Sequence, residues 1–204
     1  SVLATNKVLR NTYLLLSMTL AFSAAMTYVG VIMNLPPVPL LVYLGVSLGL
    51  LFLTNFLKNS VFGLVSVFAF TGATGFMTAP IISAYLTFFA NGPELIMTSL
   101  ALTSGIFIAL SAIAIVTKKD FGFMSKFLFI GLIVTIIAIV ANMFFQIPAL
   151  SLAISGVCVI LFSGYILYDT SRIINGGETN YIMATISLYI DILNLFLSLL
   201  HILG

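Results

Sequence analysis

The chain has 204 residues, 62% hydrophobic and 6% charged, with a mean hydropathy of +1.29. A soluble domain carries about 25% charged residues, so a water-facing globule is excluded. A net charge of +2 from seven basic and five acidic residues cannot neutralise a phosphate backbone, which argues against nucleic acid as a partner. The lone Cys158 excludes a disulfide framework or a thiolate metal cluster within one chain. The apolar runs are continuous and about twice the ~10-residue alternating segments of a transmembrane barrel. The expected class is an all-α integral membrane protein with the lipid bilayer as its solvent.

In chain order, charges and Pro/Gly breaks divide the sequence into seven apolar segments: 12–33, 38–57, 61–88, 95–116, 124–145, 148–172 and 180–203. Most approach the ~20 residues that a crossing helix needs. The first follows Lys7 and Arg10 as a signal peptide would, but it exceeds the ~7 to 15-residue apolar core of a cleavable signal. It reads as a retained span. The third is long enough to tilt strongly or to break at Gly72, Gly75 or Pro80. Only short loops join the segments, so residues 1–204 are expected to form a single seven-helix transmembrane domain.

With seven spans, Lys7, Arg10, Lys58, Lys118, Lys119, Lys126 and Arg172 all fall on one side. Basic residues stay cytoplasmic, which sets the N-terminus inside and the C-terminus outside. Six or eight spans would spoil this segregation. Gly45 and Gly49 form a small-xxx-small pair, and Ala69, Gly72 and Gly75 with Thr71, Thr74 and Thr78 line span three. Small residues let helices approach closely in lipid, and packing is the role expected of all of them.

Ionisable groups inside an apolar span mark function by default, and two stand out. Asp191 lies about 11 residues into span seven, roughly 16 Å deep at 1.5 Å per residue. Asp169 lies toward the cytoplasmic end of span six, one turn before Arg172. Ser187, Asp191, Asn194, Ser198 and His201 are spaced by four, three, four and three, which places them on one helical stripe. Span six repeats the pattern in Ser151, Ser155, Cys158, Phe162, Tyr165, Asp169 and Arg172. The short loop Asn175-Gly176-Gly177-Glu178-Thr179 makes the two spans antiparallel neighbours, so their polar faces are expected to meet. Two facing carboxyls would titrate as a coupled unit, making the pair a candidate protonation switch. The alternative for Asp169 is a headgroup-level ion pair with Arg172 at i+3.

Other chemistries fit less well. Intramembrane aspartyl proteases also use a carboxylate pair, but they carry Gly-x-Gly-Asp, and here the site reads Tyr189-Ile190-Asp191 with no glycine. No catalytic residue is assigned. His201 is the only histidine and reads as interfacial rather than metal-ligating. Ca2+ takes about six to eight oxygens, so two carboxyls with hydroxyls and carbonyls offer at most a transient cation site. No resident cofactor or metal is expected. Glu178 with Gly176-Gly177 reads as a solvated loop.

The segments Tyr165-Ile-Leu-Tyr-Asp169-Thr170, Asn175-Gly-Gly-Glu-Thr-Asn-Tyr181 and Ser187-Leu-Tyr-Ile-Asp191-Ile-Leu-Asn194-Leu-Phe196 resemble the C-terminal half of the Bax inhibitor-1 family. Lys7-Val-Leu-Arg10-Asn-Thr-Tyr13, Leu20-Ala-Phe-Ser-Ala24 and Phe68-Ala-Phe-Thr-Gly72 are similar to its YccA-like bacterial branch. The resemblance implies seven helices with the last at the centre, and an inner-membrane location. It also implies a di-aspartyl sensor, matching Asp169 and Asp191, as in calcium-leak members that respond to H+. Tyr165, Ser187, Asn194 and Ser198 would support that pair, and Lys58 or Arg172 would serve as a latch on the helix-six aspartate. For the YccA-like branch it further implies a modulator of the membrane-bound ATP-dependent protease FtsH. Such members act as poorly extracted substrates gripped by an N-terminal cytoplasmic tail.

Overall fold

The computed structural model describes residues 7–204 and is all-α, so Ser1 to Asn6 of the expected domain lie outside the described residues. Among the described residues, seven helices are long and apolar enough to cross a membrane: α1 Lys7–Ile32, α2 Leu40–Leu57, α3 Val61–Phe88, α4 Gly92–Thr117, α5 Ser125–Phe145, α6 Pro148–Ile174 and α7 Tyr181–Leu203. A single 3-10 turn, Gly122–Met124, precedes α5. The expected segments agree with these bounds to within a few residues. The main exception is α1, which starts five residues before Thr12 because Lys7 and Arg10 join the helix, their long stems able to carry the charge to the interface.

Contacts group the chain into two compact units, residues 1–93 with 178–189 and residues 94–177 with 190–204. The last helix therefore contributes its first part, to Tyr189, to one unit and the rest to the other. Expected at the centre, it buries Ile186, Leu188, Tyr189, Leu195 and Leu200 to 1% exposure or less.

In the first unit α3 packs against both α1 and α2. α1 buries Leu9, Thr12, Leu16, Thr19 and Ser23 at three- and four-residue spacing, a single stripe. α3 runs unbroken through Pro80, as transmembrane helices allow when neighbours accommodate the freed backbone groups. α1 lies against this turn: a Cβ added at Gly30 would sit 2.5 Å from the Ala79 Cβ and 3.1 Å from the Phe76 carbonyl oxygen. One glycine expectation fails. Gly45 and Gly49 are exposed and meet nothing within 4 Å among the described residues, because α2 turns Tyr43, Ser47, Leu50 and Thr54 inward instead.

In the second unit α5 packs on α6. The contact is reciprocal, with Leu161 over Gly131 and Leu128 over Gly164. Cys158, Phe162 and Ile166 of α6 form a buried cluster with Leu195 and Leu199 of α7, flanked by Phe107 and Leu110 of α4 and Leu132 of α5. This cluster fixes the register in which the polar stripes of α6 and α7 face one another.

Candidate functional site

α6 ends in a Schellman motif. Gly176 takes φ +78°, Gly177 N–H donates to the Arg172 carbonyl at 2.8 Å, and Gly176 N–H donates to that of Ile173 at 3.4 Å. Glycine is favoured at such a left-handed position. The Gly176-Gly177 loop is thus a helix cap rather than only solvated chain. It also positions Arg172, whose Nη2 donates to the Gly177 carbonyl at 3.2 Å.

Above this cap the carboxyls of Asp169 and Asp191 meet in side-chain hydrogen-bond contact. Asp191 is 4% exposed. Asp169 is 12% exposed and lies 3.7 Å from Arg172 Nη1, with Arg172 itself 36% exposed. The expected i+3 ion pair is thus present, and Asp169 lies between the buried acid on α7 and the semi-exposed guanidinium on its own helix. The guanidinium also sits 5.6 Å from the Tyr168 ring centroid, within cation–π range. Tyr165 packs against the buried cluster of α6 and α7 one turn below Asp169. Asp191 Oδ2 is buried and takes no hydrogen bond among the described residues.

One further rung joins α6 to α7: Ser151 Oγ lies 3.1 Å from His201 Nε2. His201 is exposed. Asn194 donates to the Ile190 carbonyl of its own helix at 2.8 Å, and Ser187 is half-buried in the first unit. Lys58, the other candidate latch, closes α2 and donates to Asn55 Oδ1 at 3.0 Å.

Sequence reading missed the hydroxyl cluster around Tyr189 in the first unit. Its hydroxyl lies 2.6 Å from Ser23 Oγ and 2.9 Å from Thr74 Oγ1, and it donates to the Thr71 carbonyl at 3.1 Å. Thr27 donates to the Gly75 carbonyl at 2.7 Å. The signal lies in the spacing of Thr71, Thr74 and Thr78, of which packing alone is expected from the sequence. Asn180 was missed as well. Its Oδ1 accepts the Ile182 and Met183 N–H groups at 3.0 and 3.1 Å, capping α7, while its Nδ2 donates to the Lys58 carbonyl at 3.1 Å.

Fold and site together define a polytopic seven-helix membrane protein with an acid pair held between two of its helices. The family model described as Inhibitor of apoptosis-promoting Bax1 matches residues 5–204, and the chain belongs to that family. It is 48% identical to the protein named Modulator of FtsH protease YccA of Escherichia coli K12, over 100% of this chain and 92% of the relative. Identity and coverage are the same against a protein named Inner membrane protein YccA from a second E. coli strain. An uncharacterized protein of Pseudomonas aeruginosa is 50% identical over 97% of this chain and 88% of its own length.

Proposed function

We propose that the chain is a bacterial inner-membrane protein, N-terminus inside and C-terminus outside, that modulates an FtsH-type membrane protease and is not itself an enzyme. The carrying observation is 48% identity across all 204 residues to a protein named for that modulation. The interior supplies a physical basis. A pull from the N-terminus loads α1 first, and α1 is held by the Ser23–Tyr189 contact, by Thr27 to the Gly75 carbonyl, and by Thr185 donating to the Thr12 carbonyl at 3.4 Å. Polar groups parted in hydrocarbon have no water to replace their partners, so such a chain is drawn out slowly and occupies the protease meanwhile. The test is mild crosslinking and co-purification with the protease, alongside the half-life of a second protease substrate when this chain is overproduced. Capture that is lost on removing the N-terminal tail, with a lengthened half-life, supports the reading. No capture and an unchanged half-life would count decisively against it.

A second reading is favoured by the Asp169–Asp191 contact: a calcium leak gated by proton exchange at this pair. Tyr165, Ser187, Asn194 and Ser198 would support the path, and Arg172 or Lys58 would hold Asp169 in the closed state. Ca2+ would be a transient occupant. Flux in liposomes across about pH 6 to 8, a range that brackets coupled titration, should change in Asp169→Asn and Asp191→Asn. Flux no greater than that of empty liposomes throughout would sink it.

A further inference from the structure

Residues 118–126, which join α4 to α5, concentrate the positive charge of the second unit. Lys118, Lys119 and Lys126 stand there, and Arg172, the unit's other basic residue besides His201, is engaged by Asp169. All three lysines are exposed, and their ammonium groups take no hydrogen bond or ion pair among the described residues. The one acid in the stretch, Asp120, accepts the Gly122 N–H at 2.7 Å. Three lysines less one aspartate leave a local charge of +2.

This stretch is held in place. Lys118 turns the chain directly after α4 with φ +53°. Ser171, 1% exposed, takes the Phe121 N–H at 3.0 Å and donates to the Lys119 carbonyl at 2.9 Å, which Asn175 also reaches at 3.3 Å. Ser171 belongs to the last turn of α6, so the loop is fixed at the level where α4 ends, α5 begins and α6 ends. Each of these helices is long enough to cross a bilayer, which puts the loop at headgroup depth. Lysine stems there carry their charges to the lipid phosphates. Phe123 and Phe127 accompany them, 79% and 72% exposed. Phe127 is the third residue of α5, so acyl chains already meet its ring, whereas a water-borne acidic partner would leave both rings to be covered. Basic side chains beside large exposed apolar ones make a surface that settles into the headgroup layer.

We propose that Lys118, Lys119 and Lys126, with Phe123 and Phe127, form a preorganised site for the headgroup of an anionic phospholipid. An anionic headgroup complements the +2 patch, while a zwitterionic one brings an ammonium that the lysines repel. Only the assignment of this lipid to the cytoplasmic leaflet rests on the proposed orientation.

The chain contains no tryptophan, so Phe127→Trp places a single indole at the site. Phe144→Trp, 82% exposed at the other end of α5, is the control. Each chain is reconstituted in mixed phosphatidylglycerol and phosphatidylcholine vesicles in which one lipid or the other carries brominated chains, and fluorescence quenching gives the relative binding constant. With Phe127→Trp the anionic lipid should be preferred about threefold or more, and with Phe144→Trp the two lipids should quench alike. Lys118→Gln, Lys119→Gln and Lys126→Gln together, all at exposed positions, should remove the preference. Asp120→Asn, whose amide oxygen can still accept the Gly122 N–H, should raise it, and added salt should weaken it. Equal quenching with Phe127→Trp, a preference that survives the lysine substitutions, or the same preference with Phe144→Trp would overturn the proposal. Loss of protease capture in the lysine-substituted chain with its lipid preference intact would overturn it too, and give the patch to an acidic protein. Both leaflets have one composition in these vesicles, so the result holds whichever way the chain inserts and whether or not the chain modulates a protease.

Discussion

Tyr189→Phe tests the interior directly, because it removes one oxygen and leaves the ring in place. That oxygen touches Ser23, Thr74 and the Thr71 carbonyl. Thr74 keeps its bond to the Phe70 carbonyl at 2.8 Å, so the loss falls on Ser23 and on the Thr71 carbonyl. Hydrogen bonds between membrane helices average about 0.6 kcal/mol and reach about 1.7, so the substitution should cost about 1–2 kcal/mol. That corresponds to a roughly 5–30-fold rise in the opened population. Reversible unfolding in mixed micelles measures the cost. A cycle with Ser23→Ala should show a coupling of about 0.5 kcal/mol or more, since contacting residues depart from additivity. In cells the variant should be degraded faster by the membrane protease, in step with the lost stability. A cost below about 0.3 kcal/mol, or additivity within that margin, would refute the claim that this hydroxyl secures α7 to α1 and α3.

Other expectations are sharper in contrast than alone. Asp169→Ala strips Asp191 of a partner and should cost about 1–3 kcal/mol in the same unfolding assay, whereas Asp169→Asn, which can still hydrogen-bond, should cost under about 1 kcal/mol. Asn180→Ala should cost about 0.5–2 kcal/mol through the lost cap and speed amide exchange at Ile182 and Met183; Asn180→Asp should keep the cap and lose only the Nδ2 donations to the Lys58 carbonyl and to Asn59 Oδ1. A Cβ at Gly75 would strike the Ser23 hydroxyl and lie 2.5 Å from its carbonyl oxygen. Gly75→Ala should therefore destabilise by about 1–3 kcal/mol, while Gly45→Ala, with open space, should stay within about 0.5 kcal/mol.

Span number and ends could be read from the chain because length and apolarity are imposed by the bilayer. The meeting of Asp169 with Asp191 could be read too, since a stripe at three- and four-residue spacing on two helices joined by a short loop leaves little freedom. What escaped was the inward face of α2. Glycine spacing does not distinguish a helix face that receives a neighbour from one that does not, and the decision fell to Tyr43, Ser47 and Thr54. The Tyr189 cluster escaped for a related reason. Serine and threonine in hydrocarbon satisfy themselves on their own helix, as Thr19 does with the Leu15 carbonyl at 2.9 Å, so only three-dimensional proximity shows which ones reach across.

The basic loops are buttoned down. Asn180 holds the Lys58 and Asn59 stretch. Ser171 Oγ takes the Phe121 N–H at 3.0 Å and donates to the Lys119 carbonyl at 2.9 Å, while Asn175 reaches the same carbonyl. A motor that threads polypeptide needs slack to grip, and these connections offer it little. A chain tied in this way would have to be drawn out from an end, helix by helix, so the pace of any such extraction is written into its loops as much as into its interior.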